Sequence, residues 1–311
     1  VRLRLGTRGS PLALAQAHEV RDRLARAHGF AAEAVAITII RTSGDSIQDR
    51  PLSEAGGKGL FTRELDLALM EGSIDFAVHS AKDLPTFLPD PLMISGFLPR
   101  EDVRDVWISQ KADHPRDLPA GSLVGTASLR RGALVKRLRP DLRVTLLRGN
   151  VETRLSKLAA GEVDATLLAL AGLKRLGLSD KATRILDTDD FLPAAGQGAI
   201  GITARAGDAA TAQLLAPILD PATGVALAAE RAFLTILDGS CKTPIGAHAT
   251  VANGMVTLRG IVLRPDGSQW FEAEESGPEA EAAALGERAA QAILSRLPQG
   301  FFQEAPVPDT I

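Results

Sequence analysis

One cysteine in 311 residues leaves this chain without any internal disulfide and without a thiolate metal cluster. Tyrosine is absent, so no step can depend on a phenol. Aromatic residues make up only 4% of the chain, a poor supply of stacking surfaces for single-stranded nucleic acid. No run approaches the ~18 apolar residues that a membrane-spanning helix needs. Five histidines (His18, His28, His79, His114 and His248) show no ligand spacing, so no metal is expected. The formal charge of −3 gives no overall attraction to nucleic acid or to an anionic membrane. Val1-Arg2-Leu3-Arg4-Leu5-Gly6 alternates like a strand and does not resemble a signal peptide, so the expected location is the cytoplasm.

What is present is order of another kind. Through about residue 200, short apolar runs alternate with amphipathic stretches, which predicts α/β layers with mostly parallel sheets. Strands are expected at 1–7, 35–42, 74–79, 92–98, 105–109, 122–126, 143–148 and 164–170. Helices are expected at 11–28, 60–71, 129–139, 151–160 and 222–237. Beyond about residue 250 the pattern changes to antiparallel strands around Arg264-Pro265-Asp266-Gly267, followed by an Ala-rich helix within 278–297. This predicts a smaller α+β unit. The length suits about two or three domains of ~100–200 residues. Residues 43–59 are polar, glycine-rich and without period, as in a lid, with Lys58 at a cationic tip.

The chemistry-bearing residues gather where strands run into helices. Thr7-Arg8-Gly9-Ser10-Pro11 places an N-cap serine and an N1 proline behind a strand, with Arg8 alongside and Gln16 further down the helix. Free N–H groups and a guanidinium there suit an anion; an ordinary helix start fits the same residues. Gly125-Thr126-Ala127-Ser128-Leu129-Arg130-Arg131 repeats the pattern, and so does Leu147-Arg148-Gly149-Asn150 with Arg154. From Ser128 to Lys157, nine basic residues face two acids. Arg130 and Arg131 can serve one site only near the helix start. If neighbouring parallel strands carry these units, the cations meet at one sheet edge, where α/β folds bind ligands. Bidentate guanidiniums there suit carboxylates or phosphates. Arg137, Arg139 and Arg143 fit a solvated basic face.

Asp75–Pro85 ends an apolar strand in His79, Ser80, Lys82 and Asp83. Asp83 could move a proton or steady a developing cation; a surface ion pair at a turn fits equally. Pro193–Ala199 reads as a crossing between lobes, with Gln197 directed at a ligand, or as a tight turn. Cys241 lies in Asp238-Gly239-Ser240-Cys241-Lys242-Thr243-Pro244, a loop thiol that could be reactive beside Lys242 or simply buried.

Taken together, these segments resemble hydroxymethylbilane synthase, the porphobilinogen deaminase family. Gly56-Gly57-Lys58-Gly59-Leu60-Phe61, Ala171–Gly177, Gly196-Gln197-Gly198 and Glu230-Arg231 through Gly246 complete the match, which runs along essentially the whole chain. The resemblance implies two lobes built like those of periplasmic binding proteins, from 1–98 with 199–216 and from 104–193, and a small α+β domain at 221–311. It implies a dipyrromethane cofactor held by Cys241 as a thioether. On it four porphobilinogens are joined head to tail, each losing ammonia, before water releases hydroxymethylbilane. It assigns Lys82, Ser128, Arg130 and Arg131 to cofactor carboxylates. Arg8, Ser10, Arg148, Arg154 and Arg175 would hold substrate or the growing chain, with Gln16, Thr126 and Gln197 as weaker contacts. Asp83 would be the catalytic group, facing the pyrrole nitrogens, and Lys58 would sit on a lid. Porphobilinogen is the expected partner, the chain a monomer, with no nucleic acid or membrane involved.

Two positions depart from the family pattern. Ala127 stands where many members have a second serine, and Glu54 where some carry lysine. A non-enzymatic two-lobed anion binder would use the arginines but would need neither Asp83 nor Cys241. A nucleic-acid binder conflicts with the charge and the few aromatics. A thiol redox enzyme would lack a resolving cysteine in this chain.

Overall fold

A computed structural model describes residues 3–46, 59–237 and 243–301. Lys58 and Cys241 lie outside the described residues, as does most of the expected lid.

The first lobe begins with β1 (Leu3–Thr7), α1 (Pro11–His28), β2 (Val35–Ile39), a short α2 (Ser43–Ser46), α3 (Arg63–Met70), β3 (Phe76–Ser80) and β4 (Leu92–Phe97). The chain then crosses to the second lobe: β5 (Asp105–Ser109), β6 (Leu123–Gly125), α4 (Leu129–Leu138), β7 (Arg143–Thr145), α5 (Val151–Ala159), β8 (Ala165–Ala169), α6 (Leu170–Arg175) and β9 (Arg184–Ile185). It returns through 193–199 into β10 (Ile200–Arg205), which joins the first sheet, and continues through α7 (Ala209–Leu215) and α8 (Pro221–Ile236). The C-terminal unit holds β11 (Ile245–Ala252), β12 (Met255–Leu263), β13 (Trp270–Pro278) and α9 (Ala282–Leu294).

The two lobe sheets share one plan. Their strand orders are β2-β1-β3-β10-β4 and β7-β6-β8-β5-β9. In each, three parallel strands meet a fourth-position strand that has just crossed from the other lobe and runs antiparallel to both neighbours. The sheets are therefore mixed rather than mostly parallel. β10 has no counterpart among the expected strands; its short Ile-Gly-Ile-Thr-Ala-Arg run acquires its pairing only from β3 and β4. The strand expected over 143–148 stops at Thr145, freeing Leu146 to Gly149 to lead into α5.

Local signals fix the helix starts. Ser10 Oγ accepts from the Ala13 N–H, and Pro11 occupies the first turn of α1. Ser128 caps α4 and Asn150 caps α5 in the same way. Gly29 ends α1 in the left-handed region, its N–H donating to Ala25 O.

Separate apolar clusters fill each lobe. Leu5, Val20, Leu24, Phe76 and Ile202 pack α1 on the first sheet. Trp107, Leu134, Leu167 and Phe191 fill one face of the second sheet, and Val106, Leu147 and Leu168 the other. The C-terminal sheet packs α8 and α9 through Leu227, Phe233, Leu258, Leu285 and Ile293, and the same cluster takes in Leu84 and Phe97 of the first lobe. Ile261 and Leu263 join the core of the second lobe. The third unit thus touches both lobes. Burying a side chain such as Phe233 contributes about 1.5–3 kcal/mol.

One junction ties all three units. Glu230 on α8 is fully buried. Arg100, in the first crossing, donates to Glu230 Oε1 from Nη1 at 2.6 Å and to Oε2 from Nη2 at 3.0 Å. The Gly196 N–H of the second crossing donates to Oε2 at 2.7 Å, and the Ala249 N–H of β11 to Oε1 at 2.7 Å. Among the described residues, no single helix is long and apolar enough to cross a membrane.

Candidate active site in the cleft between the lobes

The parallel strands of each sheet end at one edge, and the segments leaving those ends carry the polar residues. β1 and β3 lie side by side, so Arg8 and Ser10 emerge next to Ser80 and Asp83. In the second lobe β6 lies between β7 and β8, which brings Thr126 and Ser128 beside the Leu146–Arg148 segment.

On the first-lobe side, Arg8, Ser10, Gln16, Phe61, His79, Ser80 and Asp83 line one pocket. The Arg8 guanidinium lies 4.1 Å from the centre of the Phe61 ring. Gln16 Nε2 donates to Ser80 Oγ at 2.9 Å. His79 is buried, 2.9 Å from Thr203 Oγ1; desolvation, helped by Arg8, lowers its pKa to about 3, so the ring is neutral. Lys82 and Asp83 follow in the short turn Ala81–Asp83. Lys82 keeps accessible surface, yet protein atoms crowd its ammonium closely enough to desolvate it. Desolvation and the Arg131 charge push its ammonium down to about 8, against the opposing pull of Asp83 and Asp105.

On the second-lobe side, Arg130 and Arg131 do converge, and the group that gathers them is Asp105, the first residue of β5. Arg131 donates to Asp105 Oδ1 from Nε at 3.1 Å and Nη2 at 2.7 Å, while Arg130 Nη2 donates to Oδ2 at 2.9 Å. Both arginines are only 5% exposed and Asp105 is 0% exposed. Burial alone would raise the Asp105 pKa, but the two guanidiniums outweigh it and hold the carboxyl well below the usual range. Thr126 Oγ1 accepts from the Ser128 N–H, and Ser128 Oγ from the Arg131 N–H. Arg154 Nε donates to Gly149 O at 2.9 Å. Desolvation, with Arg131 and Arg148 adding repulsion, lowers Arg154 to about 10; Asp83 opposes this from across the cleft.

These couplings show which expected residues meet. Lys82 and Arg154 each lie close enough to Asp83 to feel its charge, Arg131 is near both cations, and Arg148 is near Arg154. Arg8, Ser10 and Gln16 lie in the adjoining pocket. Two expected residues are placed differently. Arg175 Nε donates to Glu19 Oε2 at 3.2 Å and Nη2 to Gly198 O at 3.1 Å, which ties α6 to α1 across the lobes. Gln197 is 0% exposed and bonds to Lys82, Val103 O and Asp105. Arg137, expected on a solvated face, instead pairs with Glu272 of the C-terminal sheet at 2.9 Å and stacks over Trp270. Asp105 and Arg100 escaped sequence reasoning because their partners lie tens of residues away and no local pattern marks either.

Comparison with known proteins decides what kind of cleft this is. Residues 3–213 match the family model described as porphobilinogen deaminase, dipyromethane cofactor binding domain, and residues 225–295 match the porphobilinogen deaminase C-terminal domain. The chain belongs to the porphobilinogen deaminase family. The porphobilinogen deaminase of Nitrobacter winogradskyi is 63% identical over 298 residues, covering 96% of this chain and 94% of that protein. That of Nitrobacter hamburgensis is 62% identical over the same span. A periplasmic substrate-binding protein of an ABC transporter from Coxiella burnetii is 16% identical over 71% of this chain and 93% of its own, with a TM-score of 0.43. The matched strand orders, not that likeness, carry the two-lobe description. The chain is thus an enzyme of tetrapyrrole synthesis that joins porphobilinogen units on a dipyrromethane cofactor, releasing ammonia and hydroxymethylbilane.

The residues present fit that cofactor. Each of its pyrroles bears two carboxylates, and the cleft gathers five cations (Lys82, Arg130, Arg131, Arg148, Arg154) around two carboxylates, Asp83 and Asp105. Arg130 Nε is a buried donor without a hydrogen-bond partner. A concave site with surplus, partly desolvated positive charge suits a polyanion.

Proposed function

We propose that Asp83 is the catalytic residue of this deaminase and that the surrounding cations hold the cofactor and the growing chain. The observation that carries the reading is the approach of Lys82 from the first lobe and Arg154 from the second to Asp83, with Arg131 near both cations. Lys82, Ser128 and the Arg130–Arg131 pair would hold the cofactor's carboxylates, with Cys241 as its thioether anchor. Arg8, Ser10 and Gln16 would receive the incoming porphobilinogen, with Phe61 steadying Arg8. Arg148 and Arg154 would accompany the lengthening chain. Thr126 would act through Ser128, Arg175 by tying the lobes, and Lys58 on the lid segment.

The dipyrromethane, when bound, supplies the pyrrole carbon to which substrate units are added. Asp83 stabilises the positive charge that develops on porphobilinogen as ammonia departs, and accepts a proton as the new bond forms. The basic walls fix the substrate's acetate and propionate, so ring and carboxylate meet in one orientation. A general acid–base or charge-stabilising group contributes roughly 10²–10⁴ in rate. Asp83→Asn should therefore fold and carry its cofactor, yet lose about that factor in kcat. Near-normal turnover by the loaded variant would remove Asp83 from this role.

We further propose three domains: 1–98 with 199–216, 104–193, and 221–311. Three separate sheets support this division. A lone cysteine suits a reducing cytoplasm.

A further inference from the structure

We propose that Asp105 and Gln197 are positioning residues for this reaction, setting Lys82 of the first lobe against Arg131 of the second. The proposal rests on the reading of Lys82 and Arg131 as groups that take ligand carboxylates. Both Asp105 and Gln197 are 0% exposed, so neither can touch a ligand in the cleft; they act through their neighbours.

The Gln197 carboxamide spans the lobes. Its Oε1 accepts from Lys82 Nζ at 3.3 Å, and its Nε2 donates to Asp105 Oδ1 at 2.8 Å and to Val103 O at 2.7 Å. Chemistry fixes its orientation: an ammonium only donates and an ionised carboxylate only accepts, so a flipped amide would lose bonds at both ends. Asp105 Oδ1 also receives Arg131. A continuous chain thus runs from Lys82 through amide and carboxylate to the guanidinium. The backbone reinforces it. Gly196, at φ +75°, lies so close to Ala81 and Lys82 that a Cβ would sit 3.0 Å from their backbone atoms. Gly198, at φ +89°, would place one 2.4 Å from Glu101 O in the first crossing. The segment bearing Gln197 is pressed on the turn that carries Lys82 and Asp83. The charged groups around Lys82 are Arg130, Arg131, Asp83 and Asp105.

The test uses cofactor-loaded protein and three variants: Lys82→Met, Gln197→Met and the double. Intact mass reports loading, and steady-state kinetics report kcat and KM separately. Reductive methylation of Lys82 relative to Lys181, read by peptide mass spectrometry, reports the lysine's setting independently of activity. Gln197→Met should load and fold, lower kcat roughly tenfold, about one charge-assisted hydrogen bond, and raise Lys82 methylation several-fold. The double should be no slower than Lys82→Met, because Gln197 acts through Lys82. Wild-type kinetics and methylation in Gln197→Met, or additive losses in the double, would overturn the proposal. If Gln197→Met does not fold, Gln197→Asn, a buried amide one methylene short, carries the same readouts. Normal loading and turnover in Lys82→Met would instead overturn the underlying reading of Lys82.

Discussion

Two buried carboxylates, Glu230 and Asp105, organise different parts of this enzyme, and they differ in charge balance. Glu230 meets a single guanidinium, Arg100, and its oxygens are completed by the N–H groups of Gly196 and Ala249. Asp105 meets two guanidiniums and one amide. The first junction is neutral and joins the C-terminal unit to both crossings. The second keeps a net positive charge beside the cleft. A balanced pair fastens domains together; an under-neutralised one leaves a site that a polyanion completes.

The largest expected effect breaks the neutral junction. Glu230→Gln leaves a buried guanidinium without its counter-ion and two backbone N–H groups with a poorer acceptor. It should cost about 3–5 kcal/mol, read as a lower denaturant midpoint. This loss should be the same with or without cofactor. Asp105→Asn sharpens the contrast. It should cost on the order of 2–4 kcal/mol in cofactor-free protein and clearly less once the polyanion is bound, because ligand carboxylates take over neutralisation. Equal losses in both forms would erase the distinction between the two junctions.

A smaller effect is set by pH. Folding lowers the His79 pKa from 6.5 to about 3, so the unfolded chain binds the extra proton between these values. Stability therefore falls as pH drops through that window, by about 2 kcal/mol at pH 5. His79→Asn should flatten this part of the stability–pH curve. Lys82 works in the opposite range: its folded pKa is depressed to about 8 from 10.5, so a penalty present below 8 is relieved as pH rises through that interval. Asp105 stays ionised throughout the neutral range, since its pairing is lost only as pH falls well below the ordinary aspartate value. The smallest effect belongs to exposed pairs. Asp189→Asn, which breaks the contact with Arg259 at 2.5 Å, should change stability by about 0–1 kcal/mol.

Much of the cleft was legible because its grammar is local. Strand, small hydroxyl residue and helix start can be read directly at Thr7–Pro11 and Gly125–Arg131, and the structure places caps at Ser10 and Ser128. The α1 limits were readable for the same reason, with Ser10 before it, Pro11 opening its first turn and Gly29 after. What could not be read is non-local. Asp105 looks like any strand-initiating aspartate until two arginines 25 and 26 positions on are folded against it. A glycine-rich crossing is compatible with a ligand-facing Gln197 or with a tight turn, and the sequence does not show that the flanking glycines serve close backbone approach. β10 shows little as sequence because its pairing comes entirely from strands more than a hundred residues earlier.

A cofactor built into this chain is central to the proposed mechanism. Peptide mass spectrometry of the active enzyme tests that directly. The expected result is an added mass of two linked porphobilinogen-derived pyrroles on the peptide containing Cys241. An active enzyme with that cysteine unmodified would contradict it.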